Sequence, residues 1–154
     1  MFGFRQRLRL ERPLNDNELN LLKPYFQLRT LDLVRIVEGY VPFWLHKSMC
    51  AIVLKHRIYL RAELDKTSFY EPASYKSVVH QTSSAASVEL LAHELTHVEQ
   101  YLAGMTIIQY LWASRHGYWR NPYEVEAYAK GIFVRKQIFS SDINKAAIQP
   151  IKAT

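Results

Sequence analysis

The pentapeptide His93-Glu94-Leu95-Thr96-His97 constrains this chain more than any other feature, because its two histidines act together only if the segment is helical. At about 100° per residue, with His93 set at 0°, His97 falls at about 40° and Glu94 at about 100°. Val88, Leu91, Leu95, Val98 and Leu102 fall at roughly 140–220°, an apolar face, while Glu89, Thr96, Glu99 and Gln100 fill the remaining polar sector. The pattern predicts a helix over 87–102 that packs one side into a core and turns another toward a site. Ser83, Ser84 or Ser87 can cap its start, and Gly104 is a natural stop. Neutral imidazoles one turn apart bind Zn²⁺ at about 2.0–2.1 Å and leave positions open for a water and a third protein ligand. Beside such an ion, Glu94 can take a proton from an activated water and deliver it to a leaving amine.

The third ligand has to come from elsewhere, and Asn121-Pro122-Tyr123-Glu124-Val125-Glu126-Ala127-Tyr128 offers two carboxylates. On a helix begun by Pro122, with Glu124 at 0°, Tyr128 lies at about 40°, Gly131 at about 340° and Ala127 at about 300°. Glu126 lies at about 200°, beside Lys130 at about 240°, where the two form a favourable i,i+4 pair. Glu124 therefore reads as inward and Glu126 as exposed. A purely structural role competes for Glu124, as the N3 member of a capping box with Asn121.

An HExxH helix followed by a helix carrying Glu124-x-x-Ala127 resembles the zincin metallopeptidases whose third ligand is glutamate, the gluzincins. The likeness is closer to small bacterial domains related to the core domain of extracellular contractile injection systems. It runs through residues 31–37, 57–61, 91–101 and 121–128. The resemblance implies a zincin-like domain with His93, His97 and Glu124 as zinc ligands, Glu94 as catalytic base, and a peptide or protein as substrate. Tyr128 stands where gluzincins often carry an Asp that hydrogen-bonds a zinc-binding histidine. Oxyanion stabilisation would fall to His116, Tyr118, Arg120 or Tyr123, all close before or at the start of the Glu124 helix. The alternative to a peptidase is a metal-stabilised interaction module of a phage-like or secretion assembly, with a partner protein and little proteolysis.

Elsewhere the chain reads as strands first and helices afterwards, which argues α+β. The expected order is a short helix within 14–26 capped by Asn15 or Asp16, a strand over 31–37, and a hairpin of 49–54 with 57–61 turning at Lys55-His56. An irregular segment over 63–84, helices over 87–102, 107–114 and 122–139, and a partly ordered tail over 140–154 follow. A small antiparallel sheet would pack on the HExxH helix within one domain spanning 1–154. His46 and His80 lack partners at metal spacing and are assigned to surface or core, and Trp44, Trp112 and Trp119 to the core. Cys50 reads as a buried structural thiol in a strand.

Lys and Arg number 20 against 14 Asp and Glu, a net charge of +6, but the cations are spread without a dense block, so a nucleic-acid partner is not expected. No apolar run reaches the roughly 18–20 residues of a membrane span, and the basic N-terminus lacks the apolar core of a signal peptide. A cytoplasmic protein with no membrane partner is the expectation.

Overall fold

The computed structural model describes residues 11–47, 49–61 and 78–147, with side chains described over 85–140 of the last stretch. Four strands form one sheet in the order β1-β2-β4-β3: β1 Glu11–Arg12, β2 Arg35–Glu38, β3 Ala51–Leu54 and β4 Arg57–Leu60. The helices are α1 Asp16–Leu22, α2 Leu28–Leu33, α3 Val78–Leu102, α4 Ile107–Ser114 and α5 Pro122–Ala147, with a 3₁₀ turn over Tyr118–Arg120. The architecture is α+β with a helical second half, as the sequence pattern implies. No described helix is long and apolar enough to cross a membrane.

The sheet is mixed and not antiparallel throughout. β1 runs antiparallel to β2 and β3 to β4, but β2 pairs with β4 in parallel, Ile36 opposite Ile58. The hairpin makes this possible. It lays β3 on the outside, so that β4 lies beside β2 and runs the same way while β3 becomes an edge. The turn is tight, with Lys55 at φ +60°.

Local signals set the early elements. Asn15 caps α1 by accepting from the Glu18 N–H, and the Glu18 carboxylate accepts the Asn15 N–H in return, a capping box. The first part of the expected strand over 31–37 is helical instead. Glu99, reaching across from α3, accepts from the Gln27 N–H and the Thr30 hydroxyl, so the start of α2 is stabilised by a carboxylate 72 positions away. Only Arg35–Glu38 continues as strand.

α3 is the central element and begins at Val78, inside the stretch expected to be irregular, so Ser83, Ser84 and Ser87 lie within the helix and do not cap it. The rest of that stretch, 63–77, lies outside the described residues, as does the His80 side chain. Gly104 ends the helix at φ +106°. Val88, Leu91, Leu95 and Val98 are fully buried against Leu31, Ile36, Ile58 and Leu60. The expected polar sector is not a solvated face, however: Thr96 is buried and donates to the Ala92 carbonyl, and Gln100 is buried in a network described below. Thr96 and Gln100 are tolerated in this covered part of the helix because each finds a hydrogen-bond partner.

α5 packs along α3 and extends to Ala147, so 140–147 of the expected tail is helical and 148–154 lies outside the described residues. The two helices meet closely at Gly131, where an added methyl would come within 2.9 Å of the Glu89 carbonyl oxygen and 3.4 Å of the His93 Cβ. Backbone cannot yield as a side-chain tip can. Gly131→Ala is therefore expected to destabilise the fold by about 1–3 kcal/mol, measured by urea unfolding; an unchanged midpoint would show that the crossing adjusts freely.

Two further expectations are corrected. Cys50 precedes β3 and is exposed. Trp44, Trp112 and Trp119 are all exposed and belong to no core cluster.

Candidate metal centre

His93 and His97 lie one turn apart on α3, and the first turn of α5 brings Glu124 between them. All three are buried, with one candidate ligand atom from each lying within 4.8 Å of the others. The His93 and His97 Nε2 atoms are 3.2 Å apart, and Glu124 oxygens stand 3.4 Å from His93 Nε2 and 3.3 Å from His97 Nε2. Ligands about 2.05 Å from a common ion at a tetrahedral angle are about 3.3 Å apart. The three distances are close to that spacing, the two to Glu124 being made by different oxygens of its carboxylate, Oε2 toward His93 and Oε1 toward His97. Glu124 Oε2 is buried and without a hydrogen-bond partner, so the group has lone-pair capacity that the protein itself does not use. The trio fits a metal ion.

The tautomer of His97 follows from its neighbours. Gln100 Nε2 donates to the Tyr123 carbonyl at 3.0 Å and to Glu126 at 2.8 Å, and both of those oxygens only accept. Its Oε1 is thereby turned to His97 Nδ1, 2.8 Å away, which has to be the donor. Neutral His97 is left with its lone pair on Nε2, aimed into the trio. Glu126, exposed as the helical phase predicts, anchors this chain of bonds; it is not paired with Lys130, whose ammonium lies over the Phe26 ring. Because such outer partners commonly tune affinity about 10- to 100-fold, Gln100→Leu is expected to weaken metal binding within that range in a competition titration. Unchanged affinity would mean that the amide only fills space.

His93 has no comparable support. Its Nδ1 is buried without a partner, and Tyr128 meets it as a ring edge at 4.4 Å between centroids, not as a hydrogen bond. Where gluzincins often place an Asp, this chain therefore places an aromatic wall.

Glu124 is not the N3 member of a capping box, because the Asn121 oxygen accepts from the Tyr123 N–H instead and the Glu124 carboxylate points to the histidines. The Tyr110 hydroxyl donates to Glu124 Oε1, and Tyr118 approaches the same carboxylate. Burial alone would push Glu124 up, but His93, His97, Tyr110 and Tyr118 outweigh it and hold the carboxyl far below the usual carboxylate range. Burial lowers the proton affinity of His97, yet the bond to Glu124 and the charges of Glu94 and Glu124 more than reverse this, leaving it raised. A metal ion has to displace that proton. Affinity is therefore expected to climb with pH through the raised His97 value and level off above it, read by chelator competition from about pH 5 to about pH 9. A flat profile would contradict it.

Glu94 sits beside the trio, nearly buried, and lines the same small cavity of about 80 Å³ together with Ala51, Ile52 and Val53 of β3. Burial pushes its carboxyl up; His93 and His97 oppose this and Glu124 adds to it. Among the described residues it has no hydrogen-bond or ion-pair partner.

Of the four oxyanion candidates, Tyr118 alone lines this cavity. His116 and Arg120 are exposed, and Tyr123 stacks on Tyr110. Sequence reasoning missed Tyr110 and Gln100. Gln100 carried a signal, three residues beyond His97 on nearly the same helical side; Tyr110 carried none. Comparison with protein-family models, curated proteins and solved structures finds no match.

Proposed function

We propose that this chain is a zinc-dependent peptidase of the gluzincin kind, a reading carried by the Glu94 carboxylate, buried beside the metal-binding trio with no hydrogen-bond or ion-pair partner among the described residues. Buried carboxylates that serve the fold are hydrogen-bonded, as Glu18 is by Arg12 and the Asn15 N–H. One without a partner among the described residues, its proton affinity raised by burial, suits a general base. Zinc held by His93, His97 and Glu124 would polarise a substrate carbonyl and acidify an attacking water. Glu94 takes the proton as the water attacks and passes it to the departing amine. Burial and Glu124 hold the Tyr118 proton to well above the usual tyrosine range, so Tyr118 remains a donor for the developing oxyanion. β3 pairs only with β4 among the described residues, so its outer edge offers N–H and C=O groups along which an extended peptide can align.

The test is incubation of the zinc-loaded protein with a mixed peptide library, with cleavage read by mass spectrometry in wild type and Glu94→Gln. The second reading, a metal-stabilised interaction module, is favoured by the deep burial of the trio and the small cavity. It predicts no cleavage of any peptide while zinc still raises the unfolding temperature.

A further inference from the structure

The metal centre accounts for the inner side of α4 and leaves its outer side unexplained. Tyr110 turns in to Glu124, and Ser114 accepts from Asn121. On the outer side Ile108 is 76% exposed, Leu111 62% and Trp112 69%, and no residue of α4 is buried. Trp119, on the 3₁₀ turn packed against α4, is 74% exposed. Large apolar side chains exposed together on one helix face, as Ile108, Leu111 and Trp112 are, mark an interaction site. Its charge is one-sided. From 101 to 123 the chain has no Asp or Glu, while Arg115 and Arg120 are exposed and the Arg115 guanidinium lies 3.9 Å over the Trp112 ring.

We propose that α4 and the turn after it dock on an anionic lipid bilayer surface, with Ile108, Leu111, Trp112 and Trp119 entering the headgroup boundary and Arg115 and Arg120 meeting lipid phosphates. The chemistry favours this occupant over others. A second copy docked by two-fold symmetry would bring together two segments that both carry arginines and contain no carboxylate to pair with them. A partner helix needs a groove, and the open cleft nearby is lined by Trp119, Glu124, Val125, Tyr128 and Ile132, with no residue of α4. Tryptophan belongs at a water–lipid boundary, and arginine can lay its stem along apolar surface while its head reaches phosphate. Peripheral attachment needs no spanning helix, so it departs from the expectation of no membrane partner, which rested on the absence of a span. It holds whether or not the metal centre is hydrolytic.

The experiment is co-sedimentation of the full chain with phosphatidylcholine vesicles and with vesicles containing about 30% phosphatidylglycerol, at low and high salt. The expected result is binding to the anionic vesicles that weakens with salt. The pairs Ile108→Ser with Trp112→Ser and Arg115→Glu with Arg120→Glu should each reduce partitioning on the order of tenfold, with circular dichroism and unfolding temperature unchanged. Two surface pairs of different chemistry keep the result readable if one of them fails to fold. No vesicle binding, equal binding to neutral vesicles, or wild-type binding by both pairs overturns the proposal. So does a concentration-dependent dimer abolished by the serine pair without vesicle binding, which would assign this face to a second copy. Saturable binding of an acidic amphipathic peptide without vesicle binding would assign it to a protein partner.

Discussion

Protein carrying His93→Ala or His97→Ala should emerge from purification without the single equivalent of zinc expected in the wild type. Each substitution removes one of three candidate protein ligands from a group whose donor atoms already lie within 4.8 Å of one another. Structural zinc sites bind with about 10–16 kcal/mol, so losing roughly a third of the protein ligands should cost affinity at least on the order of 10²-fold. Glu124→Ala belongs to the same class. Glu126→Ala does not, because its carboxylate acts only through Gln100 and should produce a smaller loss. Elemental analysis and chelator competition distinguish these cases, and unfolding of the metal-free variants shows whether the fold persists. Full metal content in both histidine variants would eliminate the site.

Glu94→Gln should bind zinc as the wild type does and lose hydrolysis by about 10²- to 10⁴-fold, the usual contribution of a positioned general base. The amide has nearly the same size, so the lining of the cavity is kept. It cannot accept the proton of an attacking water. Relief of a buried carboxyl should, if anything, stabilise the metal-free protein, since burial is the largest influence on Glu94 and opposes its charge. Retained metal, retained stability and lost cleavage together identify a base. Cleavage at the wild-type rate would remove Glu94 from the chemistry, and parallel loss of metal would make it a ligand.

The parts of the site that are legible in the sequence are those governed by the period of one helix. His93 and His97 share a face whatever surrounds them, and the opposite directions of Glu124 and Glu126 follow from a helix begun at Pro122. The fold class was readable for the same reason, in the change from short β-branched runs to long periodic ones. What escaped depends on residues distant in sequence. The start of α2 is capped by Glu99, the burial of Gln100 is made tolerable by Tyr123 and Glu126, and the parallel pairing of β2 with β4 depends on where a hairpin is laid down. The tryptophans show the converse error: large apolar rings suggest a core, but the core was already filled by leucine, isoleucine and valine from the sheet, α1 and α3. Their exposure is decided by tertiary arrangement.

The close crossing at Gly131 bears on how this protein would respond to random change. Gly131 binds nothing and reacts with nothing, yet it sets how near α5 can come to the helix holding both histidines, about two turns along from Glu124. In a library of single variants sorted for metal retention, it should be depleted of every other side chain almost as severely as the ligands themselves. Exposed neighbours such as Lys136 should drift freely. A map of tolerance drawn this way would show two kinds of intolerant position, one that supplies the donor atoms and one that brings them within reach of each other.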